Sequence, residues 1–304
     1  YEVIVFGVLL VLTLKYAPEG IWASIDKRLP KKQRKVDWLS APPLPTRELP
    51  KAGELVLKAT NIRKQFGGLV AVNDINFSIT AGQIVGLIGP NGAGKSTTFN
   101  LITGVLGLTS GEVTFRGETV SNLSSRDIAK RGMSRTFQHV KMIPDMTVLE
   151  NVALGAHLRG DKGVVSAMAR LNADEEKQLF HEAQRQLERI GMGAYLHEQA
   201  GNLAMGPQRL MEIARALCSD PALLLLDEPA AGLRHKEKQA LAQVLRQLQG
   251  EGVSILLVEH DMDLVMDVCD HLVVMEFGTL LTQGTPAEIQ ASPAVRAAYL
   301  GTEH

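Results

Sequence analysis

The sequence has few cysteines and almost no net charge. Cys218 and Cys269 are the two cysteines among 304 residues, which excludes a disulfide framework and favours a reducing compartment. Neither has the spacing of a metal ligand and the eight histidines are scattered, so we expect no zinc site. The net charge of −1 gives no general basis for binding nucleic acid.

The sequence also lacks a run of about 20 apolar residues, the length that a complete transmembrane helix needs. Val3–Leu14 comes nearest, with twelve residues that carry no charge and end at Lys15. It could be the cytoplasmic half of a truncated span, the core of a signal peptide, or a buried helix. A signal peptide needs a basic flank before the run and a small-residue cleavage site after it, and the sequence shows neither.

The residues after this run are basic. Six cations stand against Asp26 and Asp37: Lys27, Arg28, Lys31, Lys32, Arg34 and Lys35. The positive-inside rule makes such a stretch the cytoplasmic flank of a membrane segment. A solvated basic linker after a core helix is the alternative. We therefore expect a membrane segment at residues 1–25, a basic, proline-rich cytoplasmic linker at 26–53 and the main domain at 54–304.

Apolar strand patterns alternate with amphipathic helical patterns in the main domain. Strands are predicted at Leu55–Ala59, Ile75–Ile79, Gln83–Ile88, Glu112–Phe115, Ala222–Leu226, Val253–Val258 and Leu272–Phe277. Helical periodicity runs from Val148 to Gly191 and again across Ala240–Leu248. This alternation predicts an α/β fold with a mostly parallel sheet covered by helices.

The most informative stretch is Gly89–Thr97 (GPNGAGKST), which fits the phosphate-binding pattern G-x-x-x-x-G-K-[ST] at every fixed position. Glycines let successive backbone N–H groups turn toward phosphate oxygens. Lys95 can reach the β- and γ-phosphates, and the Ser96 hydroxyl can ligate Mg²⁺. A predicted strand precedes the loop and a predicted helix follows it, which argues against an accidental glycine-rich turn. The predicted nucleotide contacts are Gly89, Pro90, Asn91, Gly92, Ala93, Gly94, Lys95, Ser96 and Thr97.

A second candidate site is Leu223–Pro229 (LLLLDEP), an apolar strand that ends in two carboxylates. The C-terminal end of such a strand opens on the crevice in which α/β sheets bind ligands. Asp227 there can hold Mg²⁺, and Glu228 can polarise the attacking water. An ordinary acidic strand end is the alternative, and the phosphate loop argues against it.

The ordered motifs of the chain resemble those of ATP-binding-cassette (ABC) ATPases. These motifs are the phosphate loop, Arg135–Gln138 (RTFQ), Leu203–Arg209 (LAMGPQR), Leu226–Pro229 (LDEP) and His260. The resemblance spans residue 55 to about residue 303. It implies an ABC-type nucleotide-binding domain with a P-loop sheet core, an antiparallel β subdomain and a helical subdomain at about residues 140–220, preceded by part of a transmembrane helix. It also implies ATP hydrolysis, with ATP and Mg²⁺ as cofactors.

The resemblance assigns further roles. Phe66 would stack on the adenine, with a core phenylalanine as the alternative. Gln138 would contact Mg²⁺ and the attacking water on the loop that faces the membrane partner. His260 would contact the γ-phosphate and hold Glu228 in place, although an isolated histidine at a strand end is more often structural. The implied catalytic residues are Glu228, His260, Lys95 and Gln138, and the implied metal ligands are Ser96, Gln138 and Asp227.

Two segments depart from the family pattern. The family's L-S-G-G-Q segment, which contacts the ATP of the opposite subunit, corresponds here to Leu203, Ala204, Met205, Gly206, Pro207 and Gln208. We expect the contact to survive, because proline suits the first position of a helix from Gln208 and a helix N-terminus attracts phosphate. The missing serine hydroxyl should cost about 1.5–3 kcal/mol. Arg234 stands where the family has Asp or Asn, which puts communication between subunits in doubt.

Within this family, four stretches resemble the ATPase subunits of branched-chain amino-acid importers: Arg135–Asn151, Asp227–Leu233, Glu259–Met262 and Gly284–Gly301. Residues 1–25 resemble the end of their permease, so we infer a permease–ATPase fusion at the cytoplasmic face of the bacterial inner membrane. The implied partners are a homologous, non-identical second ABC ATPase subunit, a permease, fused or separate, and a periplasmic solute-binding protein, with no nucleic acid. Importers of urea and short amides, and the lipopolysaccharide-export ATPase, are related alternatives.

Two other functions are alternatives to transport. A soluble cassette ATPase that acts on nucleic acid or ribosomes usually has two cassettes or a long coiled-coil insertion, and this sequence shows one cassette and no heptads. A degenerate cassette would bind ATP without hydrolysing it. The presence of both Glu228 and His260 argues against that alternative.

Overall fold

The computed structural model describes residues 2–16, 38–136, 142–159 and 173–300, in two units. The first unit, Tyr1–Asp37, is described through one helix, α1 (Glu2–Tyr16), whose sequence is almost wholly apolar. Within the described residues, no helix is both long and apolar enough to cross a membrane. The expected transmembrane segment therefore stays a prediction.

The second unit, Trp38–His304, contains ten strands and nine helices in its described part. Its strands are β1 (Leu55–Phe66), β2 (Leu69–Thr80), β3 (Ile84–Ile88), β4 (Ser110–Phe115), β5 (Glu118–Thr119), β6 (Met133–Arg135), β7 (Leu223–Asp227), β8 (Ser254–Val258), β9 (His271–Glu276) and β10 (Thr279–Gly284). Its helices are α2 (Lys95–Ile102), α3 (Ser125–Lys130), α4 (Val148–Ala153), α5 (Ala173–Arg189), α6 (Met205–Leu217), α7 (His235–Gly250), α8 (Met262–Val268), α9 (Pro286–Ala291) and α10 (Pro293–Leu300). Short 3₁₀ turns occur at Leu154–Arg159, Gly193–Tyr195 and Ala200–Asn202.

The strands form two sheets that differ in strand direction. An antiparallel sheet has the order β2-β1-β4-β5. The larger sheet has the order β10-β9-β3-β8-β7-β6, and all its described pairs are parallel except β9–β10. β3, β7 and β8 are buried at every position, which explains why their sequences are continuous apolar runs. The predicted parallel core and antiparallel sheet are both present.

Helices α4, α5 and α6 pack together beside the larger sheet. Their inward residues belong to one buried cluster, which includes Val148, Val152, Ala183, Leu187, Met211 and Ala214. On α5, the buried positions repeat every three or four residues, as the sequence predicted. The expected continuous helical stretch from Val148 is interrupted, because α4 ends at Ala153 and a 3₁₀ turn follows.

Residues 38–50, which we call the N-terminal strap, pack onto the rest of the second unit. Leu44 is only 7% exposed and belongs to the main buried cluster. Trp38 Nε1 donates to Gln184 Oε1 at 2.6 Å, and the Arg47 guanidinium donates to the Arg131 carbonyl at 3.0 Å. This part of the predicted linker at residues 26–53 is therefore packed, because its apolar side chains find a core, while the predicted domain bounds stay a prediction.

The start of α6 also differs from the expectation. The helix begins at Met205, so Pro207 occupies its third position and not its first. Proline is tolerated there because the first four N–H groups of a helix have no partner within it. Three strands, β5, β6 and β10, were not predicted. β5 has two residues, β6 has three, and β10 is half-exposed, so none of them gives a clear apolar pattern.

Candidate nucleotide-binding site

Three neighbouring parallel strands bring the predicted site together at one edge of the larger sheet. β8 lies between β3 and β7, and the register places Val258 level with both Leu87 and Asp227. The phosphate loop follows β3, His260 follows β8, and Glu228 follows β7. The carboxyl edge of a parallel sheet is where α/β proteins bind ligands. Sequence motifs separated by more than 130 positions thus share one edge.

The phosphate loop needs its glycines. Gly89 has φ +151°, and a Cβ there would lie 2.1 Å from the Met275 carbonyl oxygen. Gly94 has φ +94°, and a Cβ there would lie 2.6 Å from the Ala71 carbonyl oxygen. Gly94 is the N-cap of α2, with no side-chain capping bond and no acidic residue in the first turn. The N-terminus of α2 is therefore suited to bind an anion.

Lys95 is held inside this loop. Its ammonium donates to the carbonyl oxygens of Gly89 at 2.7 Å and Pro90 at 3.0 Å, and the residue is 9% exposed. Burial lowers the pKa of Lys95, and the charge of Glu228 opposes that shift. Ser96, the next residue, is exposed. The loop thus presents one cation at its centre and one hydroxyl toward solvent.

Asp227 is buried at the end of β7 and is paired with Arg135, a residue to which the sequence motifs gave no role. Arg135 Nη2 lies 3.5 Å from Asp227 Oδ2, and Arg135 Nη1 donates to Asn100 Oδ1 at 2.6 Å. The guanidinium also lies 4.7 Å from the centroid of the Phe99 ring. Burial raises the pKa of Asp227, and Arg135 partly reverses the shift. Arg135 thereby connects the metal-ligand candidate to α2.

Glu228 and His260 lie on adjacent loops. Glu228 has φ +49°, a left-handed conformation that is costly for a residue with a Cβ, and its N–H donates to the Val258 carbonyl at 2.8 Å. The side chain of His260 is 60% exposed. Backbone strain of this kind concentrates at functional sites. The strain supports a functional interpretation of the acidic strand end.

The structure describes the candidate Phe66 but not the candidate Gln138. Phe66, at the end of β1, is 45% exposed, and Lys64 Nζ lies 5.1 Å from its ring centroid. This exposure argues against the core alternative and leaves the ring available for stacking. Gln138 lies outside the described residues. The nearest described residue before it is Thr136, whose N–H donates to the Leu225 carbonyl at 2.9 Å.

The segment Leu203–Gln208 forms the N-terminus of α6. Ala204 is the N-cap without a side-chain bond, Met205 is 49% exposed, and Gln208 Nε2 donates to the Leu203 carbonyl at 2.8 Å. A Cβ on the buried Gly206 would lie 2.9 Å from a carboxylate oxygen of Glu237. Because proline has no N–H and the Gln208 N–H donates to the Ala204 carbonyl, Met205 and Gly206 are the two backbone donors left at this terminus.

Arg234 is the N-cap of α7. Its N–H donates to Glu237 Oε2 at 2.8 Å, and its side chain is 86% exposed. The residue that departs from the family pattern is therefore tied through its backbone, and its largely exposed guanidinium lies near Glu237, with Nε 3.8 Å from Oε2.

Comparisons with known proteins agree with this geometry. The sequence pattern of a family described as "ABC transporter" matches residues 72–231, and a pattern described as "Branched-chain amino acid ATP-binding cassette transporter" matches residues 279–304. The high-affinity branched-chain amino acid transport ATP-binding protein LivG of Salmonella typhimurium is 43% identical over 249 residues, which cover 81% of this chain and 98% of that protein. BraF of Pseudomonas aeruginosa, which has the same description, is 40% identical over the same shares.

Solved structures are similar over the same region. The crystal structure of the ADP conformation of MJ1267, described as an ATP-binding cassette of an ABC transporter, matches with a TM-score of 0.74 and 31% identity, covering 82% of this chain and 99% of that one. The family pattern covers more than half of the chain, and its motifs converge on one edge of the sheet. The chain is therefore an ATP-binding-cassette ATPase of the ABC transporter family.

Proposed function

We propose that this ATPase energises the import of branched-chain amino acids or similar small solutes. The observation that carries the proposal is the 43% identity to a protein named for branched-chain amino acid transport, over nearly all of that protein's length. Import of urea or short amides and export of lipopolysaccharide are alternatives within the family. A non-transport cassette ATPase is less well supported, since the chain's closing residues match a transporter pattern.

The phosphate loop would bind the phosphates of ATP. Gly89–Thr97 comprises the loop and the first three residues of α2, and Lys95 would exchange its bonds to loop carbonyls for bonds to the β- and γ-phosphates. Phe66 would stack on the adenine. A cation placed between the transferred phosphate and the leaving group stabilises the charge that develops there.

Mg²⁺ fits the oxygen donors at this edge. Among the described residues, no group of three or more His, Cys, Asp or Glu could hold a metal ion. Phosphate oxygens and water would therefore be among the ligands of an ion bound here. Mg²⁺ prefers such sites. Ser96, Asp227 and Gln138 would hold it, and when bound it neutralises phosphate charge.

Glu228 would polarise the attacking water, and His260 would hold Glu228 and the γ-phosphate in line. The burial of Asp227 and the exposure of His260 support different tasks for the two residues: a fixed metal ligand and a side chain that can reach the substrate. Gln138 would complete the catalytic set. The N-terminus of α6, from Leu203 to Gln208, would contact the ATP bound to an opposing, homologous subunit.

The chain would work at the cytoplasmic face of the bacterial inner membrane. Its partners would be a second ABC ATPase subunit, a permease and a periplasmic solute-binding protein. The division into residues 1–25, 26–53 and 54–304, with a helical subdomain near 140–220 and a permease fusion, belongs to this proposal. Its support is the apolar α1 and the basic residues that follow.

The test uses uptake in cells in which the chain is replaced by its Glu228→Gln variant. Removing the base should abolish ATP hydrolysis and uptake of radiolabelled leucine, while ATP binding persists because the phosphate loop is unchanged. Leucine uptake that is unaffected while urea uptake is lost would favour the amide alternative. A wild-type protein that hydrolyses ATP no faster than Glu228→Gln would instead be a degenerate cassette.

A further inference from the structure

Glu259 is a buried carboxylate next to the proposed site. The function proposed above gives this residue no role. It directly precedes His260, follows the buried strand β8 and is only 1% exposed. A buried carboxylate is costly unless its oxygens accept hydrogen bonds. Its contacts therefore indicate what it does.

Three backbone N–H groups donate to this carboxylate. Ala230 donates to Oε1 at 2.7 Å, while His260 and Asp261 donate to Oε2 at 3.0 and 3.2 Å. Ala230 belongs to the loop after β7, and the other two donors belong to the loop after β8. One side chain thus connects two loops that are about 30 positions apart in sequence.

The two connected loops carry the proposed catalytic groups. The Glu228 N–H already donates to the Val258 carbonyl at 2.8 Å, so the bond from Ala230 to Glu259 makes a second tie two residues further on. Between these ties the backbone holds the left-handed conformation of Glu228. The backbone of His260 is held by the same carboxylate.

We propose that Glu259 is a positioning residue for ATP hydrolysis, whose carboxylate fixes the loop of Glu228 and the backbone of His260 relative to each other. The proposal rests on the roles proposed above for those two residues. Glu259 itself does not touch substrate. Its effect is on the geometry in which Glu228 meets the attacking water, and misplacement by about 1 Å can lower a rate about 100-fold.

The substitution Glu259→Gln tests this role with little change in size. Glutamine has one acceptor oxygen and one donor NH₂ group, so at least one of the three backbone donors would face another donor. We expect kcat for ATP to fall about 10–100-fold. The KM for ATP should change less than about threefold, because the phosphate loop and Lys95 are held by other contacts.

The matched control is Glu182→Gln. Glu182 is 2% exposed on α5 and accepts bonds from Arg185 and Gln186, so it is equally buried but outside the site. Hydrolysis is measured in the full chain assembled with its transporter partners, at a temperature well below the Tm of each variant. If Glu259 is a positioning residue, Glu259→Gln loses kcat and Glu182→Gln keeps it, even when the two variants lose the same amount of Tm.

Three results would overturn the inference: a wild-type kcat in Glu259→Gln, a kcat loss matched by the control, or a KM that rises in proportion. If the glutamine variant does not fold, Glu259→Asp retains both acceptor oxygens but withdraws them by about 1.5 Å, and the same kcat loss is expected. Normal ATP hydrolysis by Glu228→Gln would refute the proposed catalytic site itself. An inactive Glu228→Gln variant together with a normally active Glu259→Gln variant would refute only the positioning role of Glu259.

Discussion

Ala204→Ser should restore two interactions that the N-terminus of α6 lacks. Ala204 is the N-cap, with φ −66° and ψ 164°, which is the extended conformation that N-cap residues adopt. Alanine has no oxygen to cap the helix. A serine hydroxyl could accept from the N–H of Gly206, but not from the next residue, since Pro207 has no N–H.

The two interactions differ in size and in their dependence on ATP. A serine N-cap is worth about 0.5–2 kcal/mol over alanine, and with one of its two usual partners missing we expect about 0.5–1 kcal/mol. The hydroxyl hydrogen remains free to donate to a phosphate of ATP on the opposing subunit. A bond to that charged group adds about 1.5–3 kcal/mol, which is about 10–150-fold in the dimer dissociation constant.

Two assays separate these terms. Denaturant unfolding without nucleotide measures the cap, and ATP-dependent dimerisation in the Glu228→Gln background, where ATP is not consumed, measures the phosphate contact. Ala204→Thr and Ala204→Val form a matched control, because they have nearly the same shape and only threonine has a hydroxyl. The reasoning is refuted if serine and threonine leave both quantities unchanged, or if valine gives the same gains.

Three further predictions concern stability and reactivity. Arg135→Gln should lower the free energy of unfolding by about 3–5 kcal/mol, because it leaves Asp227 buried without its cation; denaturant titration measures this, and an unchanged midpoint contradicts it. Leu44→Ala in the N-terminal strap should lower the free energy of unfolding by about 2–4 kcal/mol in the same assay. Leu39→Ala, at a side chain 62% exposed, should change it by no more than about 0.5 kcal/mol. Equal losses in the two variants would show that the strap is not packed. Burial raises the pKa of Cys269 to about 12, so about one Cys269 thiol in ten thousand is ionised at pH 8. Iodoacetamide should therefore label Cys269 only after the protein unfolds. Rapid labelling of Cys269 in the folded protein would contradict this prediction.

The parts of the site that the sequence predicted are those fixed by local chemistry. The phosphate loop needs glycines and a lysine at set spacing, and Asp227 ends an apolar run that is recognisable because β7 is buried on both faces. Phe66 had two interpretations because its exposure depends on what the rest of the chain leaves uncovered. The roles of individual site residues stay predictions that the variants above would test.

Other residues could not have been assigned from the sequence. Arg135 contacts a carboxylate 92 positions away, and Glu259 accepts from an N–H 29 positions away. No local pattern marks either as a connection between elements. A weak signal did exist for Arg135, since it belongs to the Arg135–Gln138 motif on which the family resemblance rests.

The sequence by itself determined the family, the nucleotide and the buried strands of the larger sheet's centre, because each depends on the spacing of residues close together in the chain. Only the tertiary structure decided that three motifs meet at one edge of the sheet, that the N-terminal strap belongs to the folded unit, and that α6 begins at Met205. Those outcomes depend on contacts between distant segments, whose burial and hydrogen bonding exist only once the chain has folded.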